Sequence, residues 1–387
     1  MVNKMYMDNS IQWTFPLCPK APDFKVEWGA IYNSFEWIRA MDGVPQNPEY
    51  HAEGDVLTHT KLVCEALVNL QEWQSASETE QSTLFAAALF HDAAKPYCTK
   101  IDSEGISSPG HTLRGEIIAR KEIFKDNGSH FSAPFRIRES IAKIIRYHGL
   151  PLNFLGKPNP ERTVMEASQT VSMNWVSILS KADVLGRKCS DTNELLEKIE
   201  LFSEFCSEHG CYIAPRTFPD SFSRFVYFQK ENGSPDYKAY DDTRLEVTLM
   251  SGLPAAGKDT WIKKYCHCLP IISLDEIREE QDVSPAEDQG EIIFLARERA
   301  KAFLRARQSF VWNATNISKS IRGQLISLFV SYGAKVKIVY LEAPYNEIMK
   351  RNRERSRNVP ENVIERMIAK LEIPGPAEAH EVQWVVG

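Results

Sequence analysis

Two sets of residues in this 387-residue chain have the types and spacing to do chemistry. The first is His59, the adjacent pair His91-Asp92, and Asp183, with His111 and His148 falling between them. Two imidazoles and two carboxylates drawn from different helices of a bundle can converge on one divalent cation. The mixed nitrogen and oxygen donor set suits Mn²⁺, Mg²⁺, Co²⁺, Ni²⁺ or Zn²⁺ and does not select among them. A cation held there lowers the pKa of its bound water towards ~7, so it supplies hydroxide at neutral pH. The ordinary alternative is that a His-Asp dipeptide arises by chance and a buried histidine is a satisfied core residue. Four such residues in order on helices favour the ligand reading. His51, His130 and His209 fit no position of the set and are expected to be solvated.

The second set begins directly after an apolar strand. Gly252-Leu-Pro-Ala255-Ala256-Gly257-Lys258-Asp259-Thr260 carries the GxxxxGK pattern of a P-loop. Its glycines let backbone N–H groups turn inward to cradle phosphates, the helix N-terminus adds its dipole, and Lys258 reaches the β and γ phosphates of an NTP. The usual Ser or Thr after the lysine is Asp259 here; a carboxylate can ligate Mg²⁺ as a hydroxyl does. Further on, Ser273-Leu-Asp275-Glu-Ile-Arg278 places an acid at the carboxyl end of a strand, in the crevice where α/β sheets bind ligands. Asp275 is expected to accept a proton from an attacking hydroxyl and Arg278 to grip a phosphate of the acceptor. The plainer reading is a helix-capping Asp beside a surface Arg. Lys350–Arg357 holds five cations in eight residues. Such a run is ordinarily a solvated face, but after a fourth strand it is where a lid brings Arg over a transferring phosphoryl group. Arg351 and Arg355, at i and i+4, are the expected pair, with Arg353 in reserve.

Elements must position these groups. From Val56 to about Ser190 apolar residues recur at helical spacing, as in Val56, Val63, Ala66, Leu67 and Leu70. Leu84–Phe90, Glu116–Phe124, Ile137–Tyr147 and Met165–Leu185 read as further helices. No alternating strand pattern interrupts them, so an all-α domain is expected over 1–205. Residues 206–243 are rich in turn signals and read as a connection, with an extended Phe222–Phe228 piece. Over 244–387 strands at Leu245–Met250, Pro270–Ser273, Phe310–Trp312 and Val336–Leu341 alternate with helices at Ile292–Arg305 and Ile321–Tyr332. That alternation predicts α/β architecture with a parallel sheet and helices on both faces.

Composition sets the outer bounds. The chain is 43% hydrophobic and 25% charged, which excludes disordered, collagen-like and coiled-coil classes. A net charge of -6 excludes a strongly basic coat protein, though not a local basic groove. Leu84–Phe90 is the longest apolar run, far short of the ~20 residues that span a bilayer. The first 25 residues lack the apolar core of a signal peptide. Eight cysteines without a CxxC pair suit reduced thiols. A cytoplasmic protein with no membrane partner is expected.

With these residues in view, the first set resembles that of the HD-domain phosphohydrolases, whose H…HD…D pattern maps onto His59, His91, Asp92 and Asp183 over about residues 50–190. The resemblance extends to His91-Asp-Ala-Ala-Lys95, like the family's HDxxK form in which the Lys faces the substrate phosphate. It extends also to His111 and His148, like two extra histidines that hold a second metal or contact phosphate. Phosphate-ester hydrolysis is the reaction implied, with Asp92 and Lys95 in the catalytic centre and a transition metal (Mn²⁺, Ni²⁺, Co²⁺ or Zn²⁺) as cofactor.

The second set resembles the kinase module of polynucleotide 5′-kinases over about residues 244–387. The likeness includes Trp312-Asn-Ala-Thr-Asn316, where Asn313 replaces a more usual Asp, and Val359-Pro-Glu-Asn-Val-Ile-Glu-Arg-Met367. An HD phosphohydrolase ahead of such a kinase is the arrangement of bacterial HD-Pnk RNA-repair enzymes. That resemblance implies removal of 2′,3′ phosphates and phosphorylation of 5′-OH ends from ATP or GTP with Mg²⁺. The partners implied are RNA or DNA ends and, because no KxDG motif is present, a separate RNA ligase. Two rival classes stand beside it: a nucleotide phosphohydrolase fused to a small-metabolite kinase, and an RNA-binding module whose metal is structural.

Overall fold

A computed structural model describes residues 12–103, 105–125, 131–230, 232–284, 287–355 and 358–387. His130 and Arg357 lie outside the described residues. The chain divides into two compact units, the first ending at Thr217 and the second beginning at Phe218.

The first unit is built of helices around one large apolar core. Asp55 caps the Val56–Asn69 helix by accepting the Thr58 N–H. The buried stripe of that helix carries Val56, His59, Val63 and Leu67, so the spacing that makes the core also delivers His59 to the interior. A reciprocal Ser77–Glu80 capping box starts the Glu78–Phe90 helix, whose last seven residues are all buried. His91 stands at its carboxyl end. The helices His111–Lys125, Phe135–Tyr147 and Met173–Leu185 deliver His111, His148 and Asp183.

Three expectations need correction. The unit is not wholly α: β1 (Lys100–Asp102) and β2 (Gly105–Ser107) form a short antiparallel hairpin. Its β1 residues are exposed throughout, so no alternation of burial marks it. The helix expected over Met165–Leu185 is two, Pro160–Ser168 and Met173–Leu185. Ser168 and Thr170 hydroxyls bond back to the Met165 and Ala167 carbonyls, which competes with continuing the helix. The segment 206–243 also holds more order than expected: the Thr192–Glu208 helix runs into it, and Phe222–Phe228 is helical within Ser221–Gln229. Asp220 caps that helix, and Phe222 and Phe225, one turn apart, both face the His380 ring.

In the second unit five strands form one parallel sheet: β3 (Leu245–Ser251), β4 (Ile271–Ser273), β5 (Phe310–Asn313), β6 (Ala334–Glu342) and β7 (Glu381–Val386). Their spatial order is β4-β5-β3-β6-β7, and each neighbouring pair is parallel. β3 is central and is buried on both faces, with only Glu246 exposed. The order reverses beside β3, so the loop leaving its carboxyl end opens at a switch point of the sheet. Among the described residues no helix is long and apolar enough to cross a membrane. All eight cysteines are free thiols.

Candidate functional sites in the two units

In the first unit the expected ligand set comes together. His59 Nε2 lies 3.0 Å from Asp183 Oδ1 and 3.8 Å from Asp92 Oδ2. His91 Nε2 lies 3.2 Å from Asp92 Oδ2, and His111 Nε2 3.6 Å from Asp92 Oδ1. The rings of His91 and His148 are 5.4 Å apart, and those of His111 and His148 5.5 Å. A bare helix end makes the first of these contacts possible. A Cβ on Gly186 would stand 2.7 Å from the Val63 backbone N, so only glycine lets the end of the Asp183 helix approach the His59 helix this closely.

The orientation of each ring is fixed from behind. His91 Nδ1 donates to the Ala88 carbonyl, and the Nδ1 atoms of His111 and His148 face the Ser108 and Ile145 carbonyls, each within 2.8 Å. The Nε2 atoms are therefore the ones turned inward. His91 Nε2 and Asp92 Oδ1 are buried and make no hydrogen bond among the described residues. Buried polar atoms are nearly always satisfied, so this pair marks a place for a ligand. Among the described residues the donors form three groups: His59 with His91 and Asp183, Asp92 with His111 and His148, and His51 with Glu53 and the shared His59. Neutral imidazoles and ionised carboxylates are what a divalent cation requires, and this set fits one.

The electrostatics of both carboxylates and of His148 agree. Burial opposes ionisation of Asp92, but the neighbouring charges of Lys95 and His91 hold it well below the usual carboxylate range. Asp183 is likewise buried and held well below by Arg187 and His59. Burial pushes His148 down to about 4, with the His91 charge adding to it. Lys95 Nζ sits 2.7 Å from Asp92 Oδ2 and donates to Gln46 Oε1 at 2.6 Å, so it faces the carboxylate side of the nest.

Four residues here escaped the sequence pattern. Glu53 Oε1 lies 2.8 Å from His59 Nδ1 and 2.9 Å from His51 Nδ1, which places His51 in the site rather than in solvent. Glu53 also accepts the Lys188 N–H. Burial alone would raise its pKa, but these bonds bring it down to about 2. Arg187 pairs with Asp183 at 2.6 Å, and Gln46 holds Lys95. The proximity of Glu53 and His51 to His59 in sequence is the only signal that pointed to them. His209 packs half-buried against Phe205, with no part in the nest.

In the second unit the loop after β3 has the shape its glycines predict. Gly252 has φ +140° and Gly257 φ +101°, and a Cβ on Gly252 would collide with the Leu341 carbonyl oxygen. Ala255 also sits at positive φ, +61°. Lys258 opens the Lys258–Tyr265 helix, with Asp259 and Thr260 in its first turn. Its Nζ donates to the Gly252 and Leu253 carbonyls at 3.0 and 2.8 Å. Burial pushes Lys258 down to about 8, opposed by Asp259 and Asp275 and reinforced by Arg355.

The end of β5 braces this loop. Gly252 N–H donates to the Thr315 carbonyl, Ser251 Oγ to the Asn316 carbonyl, and Asn316 Nδ2 to the Met250 carbonyl, all within 3.0 Å. Asn316 is held in turn by Arg322, which is fully buried. Arg322 donates to the Asn316 and Glu372 carbonyls and forms a two-pronged pair with Glu378. Asn316 and Arg322 are structural supports the motif reading did not assign.

The acceptor-side residues are arranged differently from expectation. Asp275 lies in the first turn of the Leu274–Glu280 helix, two residues past the end of β4, and Ser273 rather than Asp275 caps that helix. The Asp275 side chain is 79% exposed and is paired with Arg278. Arg278 also donates to Gln289 Oε1, so its guanidinium is held rather than solvated. The helix after β6 spans Tyr345–Glu354, and Arg355 is its extended C-cap. Arg351 and Arg355 therefore do not share a helical face. Arg351 pairs with Glu347, and its Nη1 lies 3.9 Å from where a Gly257 Cβ would stand, so it flanks the loop from its own position. Arg353 lies 4.0 Å from Glu361.

Residues 247–374 match the family model AAA_33, an AAA domain. The chain is 28% identical over 143 residues to the L-seryl-tRNA(Sec) kinase of Methanococcus maripaludis, a stretch that is 35% of this chain and 56% of that protein. It is 32% identical over 122 residues to the Multifunctional CCA protein of Methylococcus capsulatus, 32% of this chain and 25% of that protein. The chain thus spans about half of the first relative and a quarter of the second. A sugar kinase structure from Janibacter sp. HTCC2649 aligns with 37% of this chain and 85% of its own at 19% identity, with a TM-score of 0.29. With the loop geometry above, the family match makes the second unit a P-loop, kinase-like domain built to use a nucleotide and Mg²⁺.

Proposed function

We propose that this chain heals broken polynucleotide ends with two separate centres. The first unit is read as an HD-type phosphohydrolase that removes 2′,3′-cyclic, 2′ or 3′ phosphate. The kinase-like unit is read as a 5′-hydroxyl kinase that takes the γ-phosphate of ATP or GTP. One observation carries the reading: a buried nest of His59, His91, Asp92 and Asp183, with His91 Nε2 and Asp92 Oδ1 unsatisfied, shares a chain with a P-loop.

In the first centre His59, His91, Asp92 and Asp183 would hold a divalent transition metal, with His111 and His148 available to a second ion or to phosphate. When bound, such a metal supplies an activated water. Lys95 and His111 place positive or donor groups on the Asp92 side, where they neutralise charge on the substrate phosphate. In the second centre Gly252, Ala255, Ala256, Gly257, Lys258, Asp259 and Thr260 hold the nucleotide. Asp275 accepts the proton of the 5′ hydroxyl, Arg278 steadies the acceptor phosphate, and Arg351 and Arg355 draw charge off the transferring group. The names of the two curated relatives, a tRNA-directed kinase and a CCA protein, favour an RNA-linked substrate over a free metabolite. The setting read from the sequence is the cytoplasm, with a separate RNA ligase to seal the healed ends.

The test is direct. An oligonucleotide bearing a 5′-OH and a 2′,3′-cyclic phosphate is incubated with the protein, Mn²⁺ and ATP or GTP, and both ends are mapped. Conversion to 5′-phosphate and 2′,3′-diol ends is expected. Unchanged ends, with phosphate transfer to nucleosides or sugars instead, would replace this reading with the small-metabolite one.

A further inference from the structure

A P-loop normally holds its Mg²⁺ with the Ser or Thr hydroxyl that follows the lysine and with an acid from a neighbouring strand. This chain has neither in its usual place. Asp259 stands where the hydroxyl belongs, and Asn313, at the end of β5, stands where the acid belongs. Each departure taken alone damages a cation site: an extra carboxylate in one case, a lost one in the other.

The two side chains meet. Asn313 Nδ2 donates to Asp259 Oδ1 at 2.8 Å. Asn313 Oδ1, on the other side of the same amide, is buried and makes no hydrogen bond among the described residues. An amide with one arm bonded and the other buried and unsatisfied is aimed at a ligand rather than spent on packing. The charge also balances. The pair carries one carboxylate and one neutral group, as the usual pair does, with the two positions exchanged. Two carboxylates at this separation would repel, and one would be driven towards protonation. Asp259 also lies in the first turn of the Lys258–Tyr265 helix, where the helix dipole favours an anion.

We infer that Asp259 and Asn313 are a compensated exchange: the carboxylate for Mg²⁺·NTP sits on the P-loop helix, and Asn313 orients it and lends its own carbonyl oxygen. This rests on the reading of the loop as an NTP site. It also makes the two positions interdependent, which a capping role for Asp259 would not.

The experiment uses the full chain with Asp259→Ser, with Asn313→Asp, and with both. Binding of ATP and GTP is measured by calorimetry with saturating Mg²⁺ and again with EDTA, beside labelled phosphate transfer to a 5′-OH oligonucleotide. Each single variant should weaken the Mg²⁺-dependent part of binding by about tenfold or more, the scale of losses at cation sites. The double variant restores the usual arrangement and should return to within about twofold of the parent, well inside what independent losses would give. In EDTA all four proteins should bind alike. Losses that simply multiply in the double variant, or singles that bind Mg²⁺·NTP normally, overturn the exchange while leaving the NTP site standing. A parent protein without Mg²⁺-dependent NTP binding overturns the NTP reading and the exchange together. Should the serine exchange not fold, Asp259→Asn with Asn313→Asp keeps the shape of both side chains and carries the same test.

Discussion

The two centres are built on opposite plans. The nest in the first unit is made of side chains, from several helices, that hold one another in place: His59 by Glu53 and Asp183, Asp92 by Lys95, Asp183 by Arg187. The phosphate loop in the second unit is made of backbone, shaped by Gly252 and Gly257 and braced by Asn316. Two histidines show the contrast in miniature. His59 is buried, yet Asp183 and Glu53 raise its pKa above the ordinary value. His380, whose Nδ1 accepts the Val336 N–H, is also buried, and there burial and the nearby Lys335 charge push it down to about 4. A site of interlocked side chains tolerates little substitution at any member, whereas a backbone loop leaves its side chains room to depart from pattern, as Asp259 does.

The largest expected effect tests whether the two plans are independent. Asp92→Ala removes a carboxylate from the nest and should abolish 2′,3′-phosphate removal while 5′ phosphorylation continues. Lys258→Ala should do the reverse, keeping metal-dependent, NTP-independent hydrolysis. Both are read by end mapping on one labelled oligonucleotide. If a folded Asp92→Ala protein loses both activities, the contrast collapses into a single composite site.

A smaller effect probes the interlocking itself. Glu53 touches no expected substrate but fixes His59 from behind, so Glu53→Ala should weaken binding of Mn²⁺ or Zn²⁺ by ~10–100-fold, the range for outer partners of a ligating histidine. Titration calorimetry of the metal alone reads this, and Glu53→Gln, which keeps an acceptor, should recover most of it. Unchanged metal affinity in Glu53→Ala would show that the ring is held without it.

The smallest effect concerns His380. Protonated His380 cannot accept the Val336 N–H, so the folded second unit favours the neutral ring. Its folded pKa, about 4, lies below the ordinary 6.5, so the unfolded chain takes up the proton first as pH falls. Stability is therefore full above pH 6.5 and lost towards pH 4. Between pH 7 and pH 5.5 the loss should be about 1 kcal/mol. Urea unfolding of the parent and of His380→Gln, compared at the two values, measures it. An equal change in both proteins would assign the acid sensitivity elsewhere.

Much of both centres was legible in the sequence because local rules fix them. The helical stripe that buries Val56 and Val63 also buries His59, and the P-loop spacing dictates its own turn. The parallel sheet followed from strand–helix alternation, although β7, the last strand, went unread. What was hidden depends on tertiary partners. Phe222–Phe228 reads as extended by composition but is helical because its aromatic face meets His380. Arg355 continues a helical charge pattern yet falls just past the helix end. His51 and Glu53 precede the first long helix in a segment without periodicity, and only the fold brings them behind His59.

The Arg322 brace gives the phosphate loop a place in time. The loop itself is complete once Lys258 has been made, but Arg322, which holds the Asn316 carbonyl, is itself held by the Glu372 carbonyl and the Glu378 carboxylate. During synthesis β3 and its glycines emerge long before those two residues. Contacts of such wide separation form late, after the cost of closing the intervening chain has been met. A nascent or truncated chain that stops before Glu372 therefore carries every letter of the nucleotide motif without the support that sets its shape. The motif is written early and finished late.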